Sequence, residues 1–260
     1  MELDLVTLLG LALVGLLAGT VDSIAGGGGL ITLPALLATG MPPAAVLGTN
    51  KLQSCFGAFS ATRYFFKQGL IDLVAMRQAI ICTFVGSAIG TLTVQAIDST
   101  LLSKMLPFLL MIFAVYFLLT PRLNESSSQQ KISTSMFGFF IGSSIGFYDG
   151  FFGPGTGSFF AIAFIFLLGY GTTKATANTK LLNFTSNIAS LIFFALGGHV
   201  VWTIGLTMAV GQVIGGRIGS GLVVSKGVRI VKPLLVSVSL IMSLRLLQQD
   251  YPEWFSAFTF

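Results

Sequence analysis

The chain has 260 residues, of which 54% are hydrophobic and only 9% are charged, and its mean hydropathy is +0.90. A soluble domain usually carries about 25% charged residues, so this composition excludes an ordinary water-soluble fold. The net charge of +5 does not indicate nucleic-acid binding, because Lys and Arg lie mostly at the ends of apolar runs, where they set membrane topology. The composition predicts an all-α polytopic protein whose surroundings are the lipid bilayer, with no nucleic-acid partner.

Apolar runs follow one another along the whole chain. A helix needs about 20 residues to cross a bilayer, and the longer runs predict about eight full transmembrane helices. Two further runs, 30–39 and 155–169, are short and directly follow glycine-rich breaks, so we expect half-helices there. The first run follows Glu2 and Asp4 without a basic region, which favours a retained helix over a signal peptide. In chain order the runs are 5–25, 30–39, 44–66, 73–97, 101–120, 134–150, 155–169, 175–197, 202–224 and 230–247.

The stretch "GTVDSIAGGGGLITLP" places Asp22 and four consecutive glycines in a strongly apolar region. Unwound backbone at membrane depth is tolerated where it is buried in protein or lines a wet cavity, and glycine lets a ligand approach the backbone. The short helix that follows would point its N-terminus, with free N–H groups and a partial positive charge, into the protein. The residues of interest in this half are Asp22, Gly26, Gly27, Gly28 and Gly29, with Asn50, Lys51 and Ser54 on the next long run.

The second half of the chain repeats this pattern. The motif G-x3-G-x2-D ends at Asp22 and again at Asp149, 127 residues later, and Lys51 has a counterpart in Lys180, 129 residues later. Glycines, an acid and a lysine in the same order over a long stretch predict one unit that occurs twice. The other polar and glycine positions of the second unit are Gly153, Gly155, Gly157, Asn178, Asn183 and Asn187.

The charged loops predict that the two units are inverted in the membrane. Basic loops stay cytoplasmic, and the loop after the third segment has three basic residues, whereas the matching loop "ALGGHVVW" has no Lys or Arg. For the next pair of loops the basic one is in the second half: "SKGVRIVK" has three basic residues, whereas the matching loop of the first half has only Lys104 beside Asp98. This reversal is typical of inverted-topology repeats, here 1–124 and 132–260. Both termini would then lie outside and the polar linker between the repeats inside, although Arg245 near the C-terminus argues mildly for the opposite orientation.

Four ionisable residues, Asp22, Lys51, Asp149 and Lys180, lie within or at the edges of apolar runs. Each costs about 2.5–3.5 kcal/mol at the centre of a membrane helix, so their repeated presence predicts a functional site. Two half-helix N-termini and two lysines that converge near the midplane would bind an anion. Three alternatives stay open: the lysines reach the membrane interface, the acids cap helices, and the glycines serve only close helix packing.

The remaining motifs predict no enzyme. G-x-S-x-G occurs at 142–146, but the first repeat has leucine in place of the serine, and a nucleophile elbow needs a strand-to-helix turn. Gly86-x3-Gly90 and Gly215-x3-Gly219 match the small-x3-small pattern of close helix contact. The cysteines and the other motifs show no zinc, disulfide or P-loop spacing, so we expect no cofactor and no metal.

The segments "GTVDSIAGGGGLITLPALL", "GTNKLQSCFGAFSATRYFFKQGLID", "GFYDGFFGPGTGSFF" and "ATANTKLLNFTSN" resemble the TauE/SafE family, also called the sulfite exporter or TSUP family, and most closely its YfcA-like bacterial members. The resemblance covers nearly the whole chain. It implies a multi-pass transporter of the bacterial inner membrane, built from two homologous halves, for sulfite, sulfonates or related organosulfur anions. The motif residues on which the resemblance places weight are Asp22, Gly26 to Gly29, Asn50, Lys51, Asp149, Gly153, Gly155, Gly157, Asn178 and Lys180.

The leading hypothesis is a secondary transporter that moves a small anion by alternating access between the two repeats. A passive anion channel and a non-transporting membrane scaffold or assembly protein are the alternatives. Asp22 and Asp149 are the candidates for carrying a coupling proton. The sequence leaves open the exact substrate, the direction of transport, the coupling ion and whether copies of the chain form a homo-oligomer.

Overall fold

The computed structural model describes residues 4–119 and 129–226, and these are helical with short connections and contain no β-strand. The last predicted run, 230–247, and most of the polar linker lie outside the described residues. The helices are α1 (Leu5–Ala25), α2 (Gly29–Leu37), α3 (Pro43–Lys67), α4 (Leu73–Gln95), α5 (Ser99–Leu119), α6 (Thr134–Met136), a π-helical continuation (Phe137–Gly142), α7 (Ser143–Phe151), α8 (Thr156–Leu168), α9 (Thr172–Leu196) and α10 (Trp202–Lys226).

Four of these helices, α1, α4, α9 and α10, have the length and apolar composition of a membrane span. Along α1 the leucines at positions 5, 9, 13 and 17 are all exposed, and their four-residue spacing places them on one face of the helix. A long exposed apolar stripe is stable against lipid and not against water. The structure therefore confirms the coarse prediction of an all-α multi-pass membrane protein.

The long helices form an unbroken series of neighbours. α1 packs against α10, α10 against α3, α3 against α9, α9 against α4, and α4 against α7. The central helices α3 and α9 carry most of the buried polar side chains, including both buried lysines. Polar groups thus face the centre of the bundle, as expected for a membrane protein with an internal site.

Glycines allow the closest of these helix contacts. A Cβ on Gly86 or Gly90 of α4 would lie closer than 3.0 Å to backbone oxygens of α7, and a Cβ on Gly215 or Gly219 of α10 would lie equally close to backbone oxygens of α1. Real Cβ atoms do not approach other atoms so closely. The small-x3-small pattern therefore has the structural role that the sequence predicts.

Both glycine-rich breaks interrupt the helical path and are followed by short helices, α2 of 9 residues and α8 of 13 residues. α1 ends at Ala25, and its C-cap residue Gly26 has φ of +77° and donates its backbone N–H to the carbonyl of Asp22 at 2.8 Å. Before α8, Gly153 and Gly155 have φ of +102° and +87°. These left-handed conformations strain any residue with a side chain, so the breaks depend on glycine.

The two breaks touch each other inside the protein. A Cβ on Gly26 would lie closer than 3.0 Å to the backbone of Gly157, and a Cβ on Gly157 would meet Gly26 in the same way. The hydroxyl of Ser158 donates to the carbonyl oxygen of Ala25 at 2.6 Å and links the two segments. Backbone thus packs directly on backbone where the end of α1 meets the first turn of α8, and Gly29 at the start of α2 lies against Pro154 of the second break.

Candidate functional site

Two ion pairs connect the first half of the chain to the second. The amine of Lys51 on α3 lies 2.9 Å from Oδ1 of Asp149 on α7, and the amine of Lys180 on α9 lies 2.8 Å from Oδ2 of Asp22 on α1. The two lysine side chains are only 2% and 1% exposed. The structure therefore does not support the alternative in which the lysines extend to the membrane interface.

The carboxylate of Asp149 is almost completely buried and has several donors. Oδ1 accepts from the Lys51 amine and from the hydroxyl of Thr156, both at 2.9 Å, and Oδ2 accepts from the hydroxyl of Ser186. Lys51 also donates to the backbone carbonyl of Asp149. With a side-chain exposure of 5%, this carboxylate depends on these protein donors because water has little access to it.

The carboxylate of Asp22 has fewer partners and is more accessible. Besides Lys180, its hydrogen-bond donor among the described residues is the backbone N–H of Gly28, 3.2 Å from Oδ1. The Asp22 side chain is 24% exposed, about five times the value for Asp149. Because Gly28 belongs to the first break, the acid does satisfy part of the free backbone at the start of α2, as the capping alternative expects.

A polar cavity lies beside the two ion pairs, where the breaks meet the faces of α3 and α9. Its volume is about 30 Å³, taken as the space open to the centre of a water molecule, which is room for roughly two waters. The residues that line the cavity are Asp22, Gly26, Gly29, Asn50, Lys51, Ser54, Asp149, Gly153, Gly155, Thr156, Gly157, Asn183 and Asn187.

Two amides of the lining differ in their hydrogen bonding. Oδ1 of Asn50 accepts from Thr32 at 2.5 Å and from Gln53 at 2.7 Å, which fixes this side chain. Oδ1 of Asn183 is buried and has no hydrogen-bond partner among the residues described. A buried amide oxygen without a partner is costly, so this atom is free to accept from water or from a ligand in the cavity.

Four of the residues predicted from the sequence lie outside the lining. Gly27 and Gly28 belong to the first break but do not line the cavity, and Lys180 is joined to it through Asp22. Asn178 has a different environment, because its amide donates to the backbone carbonyls of Leu70 at 3.2 Å and Lys174 at 2.9 Å. Its side chain therefore binds the loop before α4 and the first turn of its own helix.

Four residues that contribute to the site were not among the predicted site residues: Ser54 and Asn187, which the sequence indicated only as polar positions on their helices, and Thr156 and Ser186. Thr156 lies between Gly155 and Gly157 of the second break, where the prediction was made from the glycines alone. Ser186 lies three residues after Asn183 on α9. Residues three apart share a helix face, so Ser186 could have been predicted to lie on the polar side of α9. Sequence spacing does not indicate that its hydroxyl binds Asp149.

Comparison with known proteins finds related probable membrane transporters. The profile of a family described as "Sulfite exporter TauE/SafE" matches residues 11–246. The chain is 50% identical over 240 residues to the probable membrane transporter protein YfcA of Escherichia coli strain K12, which covers 92% of this chain and 89% of the relative. It is 46% identical over 242 residues to a probable membrane transporter protein of Haemophilus influenzae, which covers 93% of this chain and 94% of the relative.

A more distant relative, the probable membrane transporter protein YunE of Bacillus subtilis strain 168, is 25% identical over 237 residues, 82% of this chain and 87% of the relative. No solved structure matches the chain. The names of family and relatives indicate a membrane transporter and not an enzyme. With a profile match over most of its length and relatives at up to 50% identity, the chain belongs to the TauE/SafE family.

Proposed function

We propose that the protein is a secondary transporter that carries a small anion, a sulfur oxyanion or an organosulfonate, across the bacterial inner membrane by alternating access between two inverted repeats. The observation that carries the proposal is the pair of buried Lys–Asp contacts beside a polar cavity where two broken helices meet. Ionisable residues at membrane depth mark substrate pathways, and broken helices at the repeat interface are the usual site in such carriers. The family description supplies the sulfur chemistry.

The helix contacts support the repeat relation. In the repeat relation α1 corresponds to α7, α3 to α9 and α4 to α10. When each helix is exchanged for its counterpart, the series of neighbours α1–α10–α3–α9–α4–α7 becomes the same series in reverse order. Gly86 of α4 lies against Ser143 of α7, and Gly215 of α10 lies against Leu16 of α1. The partners in these two contacts are related by the offsets found in the sequence, 129 residues for the glycines and 127 for their neighbours. Together with the reversed charge of the loops, this supports two inverted units, 1–124 and 132–260.

The anion site would combine Lys51 and Lys180 with the N-terminal ends of α2 and α8. In the described conformation each lysine is neutralised by an aspartate, and the cavity has room for roughly two waters. For an anion to bind there, a lysine exchanges its carboxylate for the substrate. The site thus has two electrostatic arrangements, and rocking of one repeat against the other would alternate between them.

Counterflow in liposomes tests the proposal. The purified full chain is reconstituted, the vesicles are loaded with unlabelled sulfite or methanesulfonate, and entry of the labelled anion is followed. A carrier is expected to show uptake that is stimulated by the internal anion. Lys180→Met combined with Asp22→Asn removes one charge pair and should abolish this uptake, whereas Lys174→Met alters an exposed lysine that stacks on Tyr170 and should not.

The same measurement separates the alternatives. A passive channel would pass the anion without stimulation by internal anion. A scaffold or assembly protein would give no uptake above that of protein-free vesicles for any anion. Folding of each variant is checked by size-exclusion chromatography before reconstitution, so that lost uptake is not confused with lost protein. Full counterflow by the folded Lys180→Met/Asp22→Asn variant would contradict the proposed site.

A further inference from the structure

We infer that the Asp22–Lys180 pair couples transport to a proton, so that one proton and one monovalent anion cross together in the same direction. This inference rests on the proposed function. In the coupled step the Asp22 carboxylate takes up a proton and becomes neutral. The ion pair then opens, and the Lys180 ammonium, which stays charged, binds the anion. No bond between heavy atoms forms or breaks, and the site gains one positive and one negative charge.

The charge balance of the site favours this step. Around the cavity, Lys51 and Lys180 carry two positive charges and Asp22 and Asp149 carry two negative charges, so the described site is neutral. An anion that entered alone would leave one uncompensated negative charge in a buried region, where charge is expensive. An anion that enters with a proton leaves the site neutral and is therefore favoured.

The surroundings of the two acids indicate which one takes up the proton. Asp149 is 5% exposed and is held by Lys51 and by two hydroxyl donors, so its carboxylate stays compensated. Asp22 lines the cavity, is 24% exposed, and has one backbone N–H besides its lysine. A proton from the cavity can thus reach Asp22, and separating Asp22 from its lysine costs less free energy than separating Asp149 from Lys51.

The charged groups near Asp22 are consistent with a proton as the coupling ion. Lys180 of α9 contacts it, and Lys51 of α3 and Asp149 of α7 line the same cavity. The short helices α2 and α8 contain no ionisable residue, and Arg217 of α10 stacks on an aromatic ring of α3. The Lys180 ammonium lies 2.8 Å from the Asp22 carboxylate in the described conformation, and a proton taken up by Asp22 would replace that positive charge when the pair opens.

The first test uses the wild-type chain in liposomes with methanesulfonate, which stays ionised at every pH used. The membrane potential is held at zero with potassium and valinomycin, and the external medium is made acidic. Coupled flow should accumulate the anion about tenfold for each pH unit, because the proton and anion gradients balance at equilibrium. A pH-sensitive dye inside the vesicles should report proton entry that depends on the anion.

The second test compares variants by the pH dependence of anion binding, read as thermal stabilisation of the purified protein by methanesulfonate. Stabilisation of the wild type should grow toward acid pH. Asp22→Asn imitates the protonated acid and should make binding independent of pH, whereas Asp98→Asn, at an exposed helix start, should keep the wild-type profile. A merely structural role for Asp22 would lower stability without flattening the profile.

The outcomes distinguish the two proposals. Counterflow without anion-dependent proton entry, or a wild-type pH profile in Asp22→Asn, overturns the coupling inference and leaves the proposed function standing. If Asp22→Asn does not fold, the dye measurement on the wild-type chain decides alone. If only sulfite exchanges, the same measurement is made with sulfite against protein-free vesicles. Absence of counterflow for every anion overturns the proposed function and this inference with it.

Discussion

Removing one partner of the Lys51–Asp149 pair should cost much more stability than removing both. Lys51→Met leaves the Asp149 carboxylate, 5% exposed, without its counter-ion, and breaking a buried ion pair in this way costs about 3–5 kcal/mol of unfolding free energy. The hydroxyls of Thr156 and Ser186 still donate to the carboxylate, which places the expected cost near the lower end, about 3 kcal/mol. Lys51→Met combined with Asp149→Asn removes both charges, and neutral replacement of a buried pair is often close to neutral in stability.

The Lys180–Asp22 pair provides the internal comparison. Lys180→Met leaves a carboxylate that is 24% exposed and can be partly solvated through the cavity, so we expect a smaller cost of about 1–3 kcal/mol. Double-mutant cycles for both pairs, measured by chemical unfolding of the purified protein in detergent, give the two coupling energies. Equal coupling energies, or single variants as stable as the double variants, would refute the argument from burial.

Two further predictions test the break and the hydroxyl that supports Asp149. Gly157→Ala should sharply reduce the yield of folded protein in fluorescence-detected size-exclusion chromatography, because the new Cβ would lie closer than 3.0 Å to the backbone of Gly26, whereas Gly10→Ala, with no atom within 4 Å, should stabilise α1 by about 0.5–1 kcal/mol. Thr156→Val keeps the shape but loses a donor to a charged group, so it should destabilise the protein by about 1.5–3 kcal/mol, and a much smaller effect in the Asp149→Asn background would show that the carboxylate is the partner.

The sequence predicts the helices and the breaks well because their signals are local. The first apolar run and α1 share the bounds 5–25, and the short helices begin within one residue of the predicted positions 30 and 155. Hydrophobic run length and glycine act within a few residues of where they occur, so one sequence is enough to read them. The number of complete crossings depends in part on 230–247, which lies outside the described residues.

The pairing of the charges could not be predicted in this way. The predicted site has lysines that are free to bind an anion, whereas each lysine in the structure contacts an aspartate of the other half of the chain, 98 residues away for Lys51 and 158 residues away for Lys180. No local pattern selects a partner at such separations. The equal number of buried acids and buried lysines was the one available hint, because unpaired charges in a membrane interior are costly.

Helix geometry explains why Asn178 and Asn183 behave differently. Five residues correspond to a rotation of about 140° around a helix, so the two amides cannot face one cavity. Asn183 lines the cavity, and Asn178 donates to the loop carbonyl of Leu70. Asn183 and Asn187, which line the cavity, share a face with Lys180 because the three are spaced by three and four residues, so spacing on α9 already separates this face from the loop contact of Asn178.

The difference between the two ion pairs bears on how the two proposed repeats could carry out an asymmetric step. In the proposed mechanism a pair must open for the anion to enter, and opening both at once would add the cost of unpairing the buried Asp149, about 3–5 kcal/mol, to the smaller cost of unpairing Asp22. Donors in addition to lysine hold Asp149, whereas Asp22 has the cavity and one backbone N–H. The Lys51–Asp149 pair would therefore stay closed and keep the repeats together while the Asp22–Lys180 pair opens. The barrier to transport then includes the opening of one pair, the more exposed one, which is why the coupling energies of the two pairs should differ in the direction given above.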